Sequence, residues 1–230
     1  LPWRVRSGWV KPLESASEAL TGNVSTTTSI LHPRKRFYAG GAQSVRGYGE
    51  NQLGPRVLTI DPGKLLNPPN DTTPALCTRE DLLASNCDAA ATLPSSNFEP
   101  RPVGGSTLLE GSVEYRFGVW RSLDMAVFVD AAVVGEGDVG TLTRGTSAIT
   151  PGFGFRYTTP VGPIRIDLGI KPRLAENLPI ITEVVDDSGR RTIVDLDQTK
   201  AYDPLEDSGK GWWRQALDRL TLHLSIGQAF

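Results

Sequence analysis

Leu109-Glu110-Gly111-Ser112-Val113-Glu114-Tyr115-Arg116-Phe117-Gly118-Val119 alternates with a period of two. Leu109, Gly111, Val113, Tyr115, Phe117 and Val119 fall on one side. Glu110, Ser112, Glu114, Arg116 and Gly118 fall on the other. Successive side chains of an extended chain point to opposite faces, so this stretch is predicted to be a strand with one apolar and one charged face. Five more stretches repeat the pattern. Trp3, Val5 and Trp9 oppose Arg4, Arg6 and Gly8; Met125, Val127, Val129, Ala131 and Val133 oppose Ala126, Phe128, Asp130 and Ala132. Phe153, Phe155 and Tyr157 oppose Gly152, Gly154, Arg156 and Thr158; Ile164, Ile166, Leu168 and Ile170 oppose Arg165, Asp167, Gly169 and Lys171. Leu220, Leu222, Leu224 and Ile226 oppose Thr221, His223, Ser225 and Gly227. The chain is therefore read as all-β. Alternation alone leaves open whether the apolar face packs inward in a soluble sandwich or outward against lipid in a membrane barrel.

The links between strands separate the two cases. Short connections, Trp120–Leu123 and Thr159–Pro163, alternate with long ones, residues 12–104, 135–148 and 172–219. In an antiparallel barrel alternate links lie at opposite rims, and outer-membrane barrels pair short periplasmic turns with long external loops. Trp3, Trp120, Tyr157 and Phe230 lie near strand ends, where an interfacial aromatic girdle would sit. This pattern places the C-terminus at the short-turn, periplasmic rim. Within the last long link, Ile180–Val185 and Arg191–Leu196 flank Asp186-Asp187-Ser188-Gly189 and are predicted to form a hairpin, and 211–220 a short helical turn.

Composition supports the same division. The 230 residues carry 24 Lys+Arg against 26 Asp+Glu, a net charge of −2, which argues against a nucleic-acid partner. The longest nearly apolar run, Met125–Val134, is far below the roughly 20 residues that a membrane helix needs. The chain opens at Leu1 without a signal-like segment and is read as a processed chain or a fragment. Two Cys and two His are too few for a four-ligand zinc site without carboxylates, so no metal or other cofactor is expected. His32 and His223 have no Ser or Cys nearby in a nucleophile motif, and no enzymatic activity is expected. Glu110 and Glu114 share a strand face with Arg116 and are read as part of a salt-bridged polar wall rather than an acid–base pair. Cys77 and Cys87, in a polar loop-like stretch, pair in an oxidising compartment or remain free thiols in a reducing one.

One stretch is more specific: Arg36-Phe37-Tyr38-Ala39-Gly40-Gly41-Ala42-Gln43-Ser44-Val45-Arg46-Gly47-Tyr48, continuing to Leu53-Gly54-Pro55-Arg56. Its glycines suit a tightly folded loop. It resembles the conserved loop of the outer-membrane assembly and translocation barrels, the bacterial surface antigen family that includes BamA and TamA. Glu110–Phe117 resembles the strand after that loop, Ala126–Val134 the next one, and Gly152–Gly169 the penultimate hairpin. Leu224-Ser225-Ile226-Gly227-Gln228-Ala229-Phe230 is similar to the C-terminal insertion signal of such barrels, which assigns Leu224, Ile226, Gly227 and Phe230 to it.

The resemblance implies a transmembrane antiparallel β-barrel of roughly sixteen strands, of which these are the C-terminal six. Residues 1–11 would be one strand, 12–104 a long loop, 105–171 four strands, 172–219 an external loop and 220–230 the terminal strand. The family's loop folds into the lumen, where its Arg pairs with acidic residues of the two following strands. The matching residues here are Arg46, Gly47, Tyr48, Glu114 and Asp130. An extracytoplasmic setting favours a Cys77–Cys87 disulfide. The implied function is insertion or translocation of other outer-membrane proteins. The implied partners are outer-membrane lipid, unfolded barrel clients and periplasmic assembly partners reached through upstream domains. The alternatives are a two-partner-secretion-type pore or surface antigen of the same superfamily, and a soluble extracytoplasmic β-domain that binds a partner.

Overall fold

A computed structural model describes residues 1–11, 33–68, 74–136, 145–160, 162–172, 176–185, 189–203 and 212–226. The chain forms two compact units, each of which draws on distant parts of the sequence.

The first unit comprises residues 1–55, 102–172 and 207–230. Its strands are β1 (Trp3–Trp9), β4 (Thr107–Trp120), β5 (Leu123–Gly135), β6 (Thr146–Thr159), β7 (Gly162–Ile170) and β10 (Leu220–Ile226). They build one six-stranded sheet in the order β1-β4-β5-β6-β7-β10. All its pairings are antiparallel. These are the six alternating stretches of the sequence, lengthened: β4 and β6 have 14 residues and β5 has 13. About 9–11 residues suffice for a tilted strand to cross a bilayer. The chain enters β10 from a helix, α4 (Trp212–Asp218). The edges of the sheet are β1 and β10, so it is open as described.

The polarity of this sheet is the reverse of that in a water-soluble domain. Val113, Val127, Val129, Tyr115, Ile166, Leu222 and Leu224 are all exposed. Their alternating neighbours Glu114, Asp130 and Asp167 are 0% exposed, with Arg46, Arg156 and Arg165 buried beside them. A soluble β-domain would bury the first set and hydrate the second, since unpaired buried charge is costly and a contiguous exposed apolar patch needs a partner. Trp3, Trp120 and Tyr157 are exposed at strand ends, while Phe230 lies outside the described residues.

The second unit, residues 56–101 and 173–206, does the opposite. β2 (Arg56–Ile60), β3 (Phe98–Pro102), β8 (Glu176–Val185) and β9 (Arg191–Tyr202) form a sheet in the order β3-β2-β8-β9, with short helices α1 (Gly63–Leu66), α2 (Arg79–Leu83) and α3 (Ala89–Thr92). Leu58, Ile60, Leu65, Leu82, Phe98, Ile180, Val184 and Leu196 make a closed apolar core, and the Cys77–Cys87 disulfide lies within it. The long stretches read from the sequence as loops at 12–104 and 172–219 thus contribute strands and helices of their own. β2 and β8 pair in parallel, with Leu58 beside Ile180, an arrangement absent from the antiparallel reading. β8 and β9 form the hairpin expected around 186–189, although residues 186–188 lie outside the described set.

Candidate functional site

The stretch around Arg46 lies on the buried polar face of the six-stranded sheet. Two tight bends hold it in shape: Gly40 and Gly41 adopt φ of 108° and 106°, a left-handed region that disfavours a side chain. Ala39 bridges Leu53 across the loop, and Phe37 bridges Gly105 at the head of β4. The Ser44 hydroxyl accepts from the Gly40 amide at 2.9 Å and donates to Glu110 Oε2 at 2.5 Å. Glu110 also receives Arg4 at 3.1 Å and Arg6 at 2.8 Å from β1. The start of the loop is therefore tied to both β1 and β4.

Arg46 is 2% exposed and uses nearly every donor it has. Nε donates to Asp130 Oδ2 and Nη2 to Asp130 Oδ1, both at 2.8 Å, which makes a bidentate fork. Its own backbone amide adds a third bond to Asp130, at 3.0 Å. Nη1 donates to Glu114 Oε2 at 2.7 Å and lies 3.6 Å from Asp167. Ser112 donates to Asp130 Oδ1 at 2.6 Å, so the carboxylate is held from the side as well. The guanidinium carbon sits 3.3 Å from the centre of the Phe128 ring, a stacked cation–π contact. Burial alone would push Arg46 down. The hydrogen bonds and charges of Asp130, Glu114 and Asp167 outweigh it and hold the group above its ordinary value.

Strand register explains why these groups meet. Glu114 stands opposite Phe128, Phe128 opposite Gly152, Gly152 opposite Gly169, and Gly169 opposite Thr221. This single row crosses five strands, and the Arg46-Gly47 backbone lies along it. A Cβ on Gly169 would collide with the Arg46 carbonyl, so the glycine lets the loop touch the sheet. At the far end of the row the Thr221 hydroxyl donates to the Gly47 carbonyl at 2.9 Å. His223, next on the same face of β10, bonds to the Arg46 backbone. Tyr48 is buried with Lys171 5.0 Å from its ring centre.

The structure thus brings together Arg46, Gly47, Tyr48, Glu114 and Asp130. Leu224 and Ile226 are exposed on the apolar face of β10, whereas Gly227 and Phe230 lie outside the described residues, as does His32. Cys77 and Cys87 are joined, with Cα atoms 5.6 Å apart. Sequence reasoning did not single out Phe128, Asp167, Thr221 or the Ser44–Glu110 tie. Their shared polar-face phase was visible in the sequence, but the cross-strand register that aligns them was not.

A buried arginine on three carboxylates, inside a sheet whose apolar side faces out, is a structural clamp with no reactive centre. Among the described residues no cluster of His, Cys, Asp and Glu could hold a metal ion. A family profile, the Omp85 superfamily domain, matches residues 1–230. The chain belongs to the Omp85 superfamily. Omp85 membership brings a general role in assembling or translocating outer-membrane proteins, without enzymatic chemistry. It also brings an outer-membrane location and work with outer-membrane substrates and partner proteins. Within this Omp85 domain the loop carrying Arg46 is tied to β4, β5 and β10 through Glu114, Asp130 and Thr221.

Proposed function

We propose that the six-stranded sheet is a sector of a closed transmembrane β-barrel that inserts or translocates other outer-membrane proteins in the BamA/TamA manner, with the Arg46 loop as its internal lock. The observation that carries this reading is the clamp of Arg46 on Asp130 and Glu114, on a face whose reverse side is apolar and exposed. Hydrocarbon cannot satisfy unpaired backbone groups, so the free edges of β1 and β10 require further strands to close the wall. In this reading Leu224 and Ile226 face lipid, with Gly227 and Phe230 completing the terminal insertion signal. The C-terminus lies at the periplasmic rim, and the Cys77–Cys87 disulfide belongs to the external side. The clients are unfolded barrel proteins, and β10 offers a strand edge on which an incoming strand can form by β-augmentation.

Complementation tests the reading. Cells depleted of the native protein are supplied with the wild-type gene or with Arg46→Ala. The variant is expected to reach the outer membrane as a folded barrel while newly made barrel proteins accumulate unfolded. Full client assembly by Arg46→Ala would remove the lock from the mechanism.

A further inference from the structure

The polar face of β6 and β7 brings cationic side chains close together. Arg156 and Arg165 stand directly opposite each other in the register, an arrangement that destabilises a strand pair unless something compensates. Asp167 serves both, receiving Arg156 Nη1 at 2.6 Å and Arg165 Nη2 at 2.8 Å, and it also faces Arg46 at 3.6 Å. Glu114 is shared in the same way among Arg46, Arg116 and Arg156. Arg46, Arg116, Arg156 and Arg165 thus crowd around the shared carboxylates Glu114 and Asp167, with Asp130 taken up by Arg46 and Asp124 standing opposite Arg156.

Arg165 has few of its donors satisfied. It is 2% exposed, and among the described residues its one hydrogen bond goes to Asp167. Its Nε is buried without an acceptor, as is that of Arg156. A guanidinium offers five N–H donors, so most of those on Arg165 are unused. This side chain lines a cavity of about 120 Å³ together with Arg116, Asp124, Arg156, Thr158 and Pro163. The cavity lies towards the β4–β5 and β6–β7 turns, and the shared carboxylates Glu114 and Asp167 stand between it and Arg46. Its lining has three cations against one carboxylate, Asp124, with the Thr158 hydroxyl as a further donor.

We propose that this cavity is an oxyanion site, built to take a carboxylate or phosphate group that enters from the short-turn end of the sheet. The planar fork of Arg165 is suited to paired oxygens, Arg116 adds positive charge at the mouth, and the partial burial of the pocket strengthens the attraction. The buried, under-used Arg165 is the group that such an anion satisfies. The site is separate from the client-handling role and does not depend on it.

The test uses the whole protein folded in detergent, with inorganic phosphate as the probe, followed by ³¹P NMR at neutral pH. Wild-type protein is expected to bind one phosphate per chain, saturably. Arg116→Gln, at the mouth of the pocket, should weaken binding by about tenfold or more. Arg165→Gln should abolish it. Acetate that displaces the phosphate assigns the site to oxyanions in general, carboxylates included, and phosphate retained against acetate assigns it to phosphate groups. Should Arg165→Gln not fold, Arg116→Gln and Thr158→Val decide the matter. Linear, non-saturable uptake by the wild type, or equal saturable binding by wild type and the folded variants, would overturn the proposal.

Discussion

At the scale of single residues the structure concentrates its charge on one clamp. Removing Arg46 leaves Asp130 buried without the guanidinium that pairs with it, while Glu114 keeps Arg116 and Arg156. Breaking a buried pair in this way costs about 3–5 kcal/mol. Arg46→Ala is expected to lower the denaturant midpoint of the folded barrel by a corresponding amount, measured by the heat-dependent shift in gel mobility. Arg46→Lys should recover only part of that loss, because an ammonium group cannot make the two parallel bonds to Asp130. Gly169→Ala is expected to lift the loop from the sheet, since the new Cβ meets the Arg46 carbonyl, while leaving every charge in place. A cysteine cross-link between position 47 and position 221 should form efficiently in the parent and poorly in this variant. The three principal charges of the clamp were legible in the sequence, from the alternation phase and the motif around Arg46. The contributions of Phe128, Asp167 and Thr221 were not, because a sequence does not print which residue of one strand lies opposite which residue of the next.

Among elements, the contrast is between long strands that announce themselves and short ones that do not. β4, β5 and β6 showed themselves in the alternation of 109–119, 125–133 and 152–158, and the structure extends them to 13 or 14 residues. β2 and β3 have five residues each, and β2 finds its partner β8 more than a hundred residues away, which no local pattern can reveal. The parts of this second unit outside the β8–β9 hairpin were therefore read as loop, although the disulfide was expected. That disulfide closes a short loop around α2, worth about 3 kcal/mol in the chain-entropy account. Replacing both cysteines with serine should make residues 75–97 sensitive to limited proteolysis, with the gel-mobility shift of the barrel unchanged. At the start of α2, the Thr78 amide and hydroxyl donate to Asp81, which holds its carboxyl below the ordinary value of 3.8. A carboxyl lowered on folding contributes stability above its unfolded pKa and loses that contribution as pH falls through the folded one. The Asp81 carboxyl resonance should thus titrate below the ordinary aspartate range, and the first turn of α2 should loosen across the same interval.

For the molecule as a whole, two opposite solvents are written into one chain. The second unit hides its leucines and the sheet displays its valines, so the two were folded against different surroundings. Tryptophan placed at Val129 or Ile166 should be quenched by brominated lipid tails, and one placed at Thr150 should not. Arginine at Val129 should cost about 2–4 kcal/mol in a bilayer if that position lies near the midplane. Inverted quenching would mean that the apolar face packs against protein. The bond from Thr221 to Gly47 spans 174 residues of chain, whereas those from Arg46 to its carboxylates span 68 and 84. Contacts so far apart form late, because the intervening chain must first be gathered in. The loop precedes β10 in the chain, so its seat on the sheet stays unfinished until that strand pairs with β7. A docked loop therefore reports that β10 has joined the wall, and a loop left undocked reports a sheet still missing that strand.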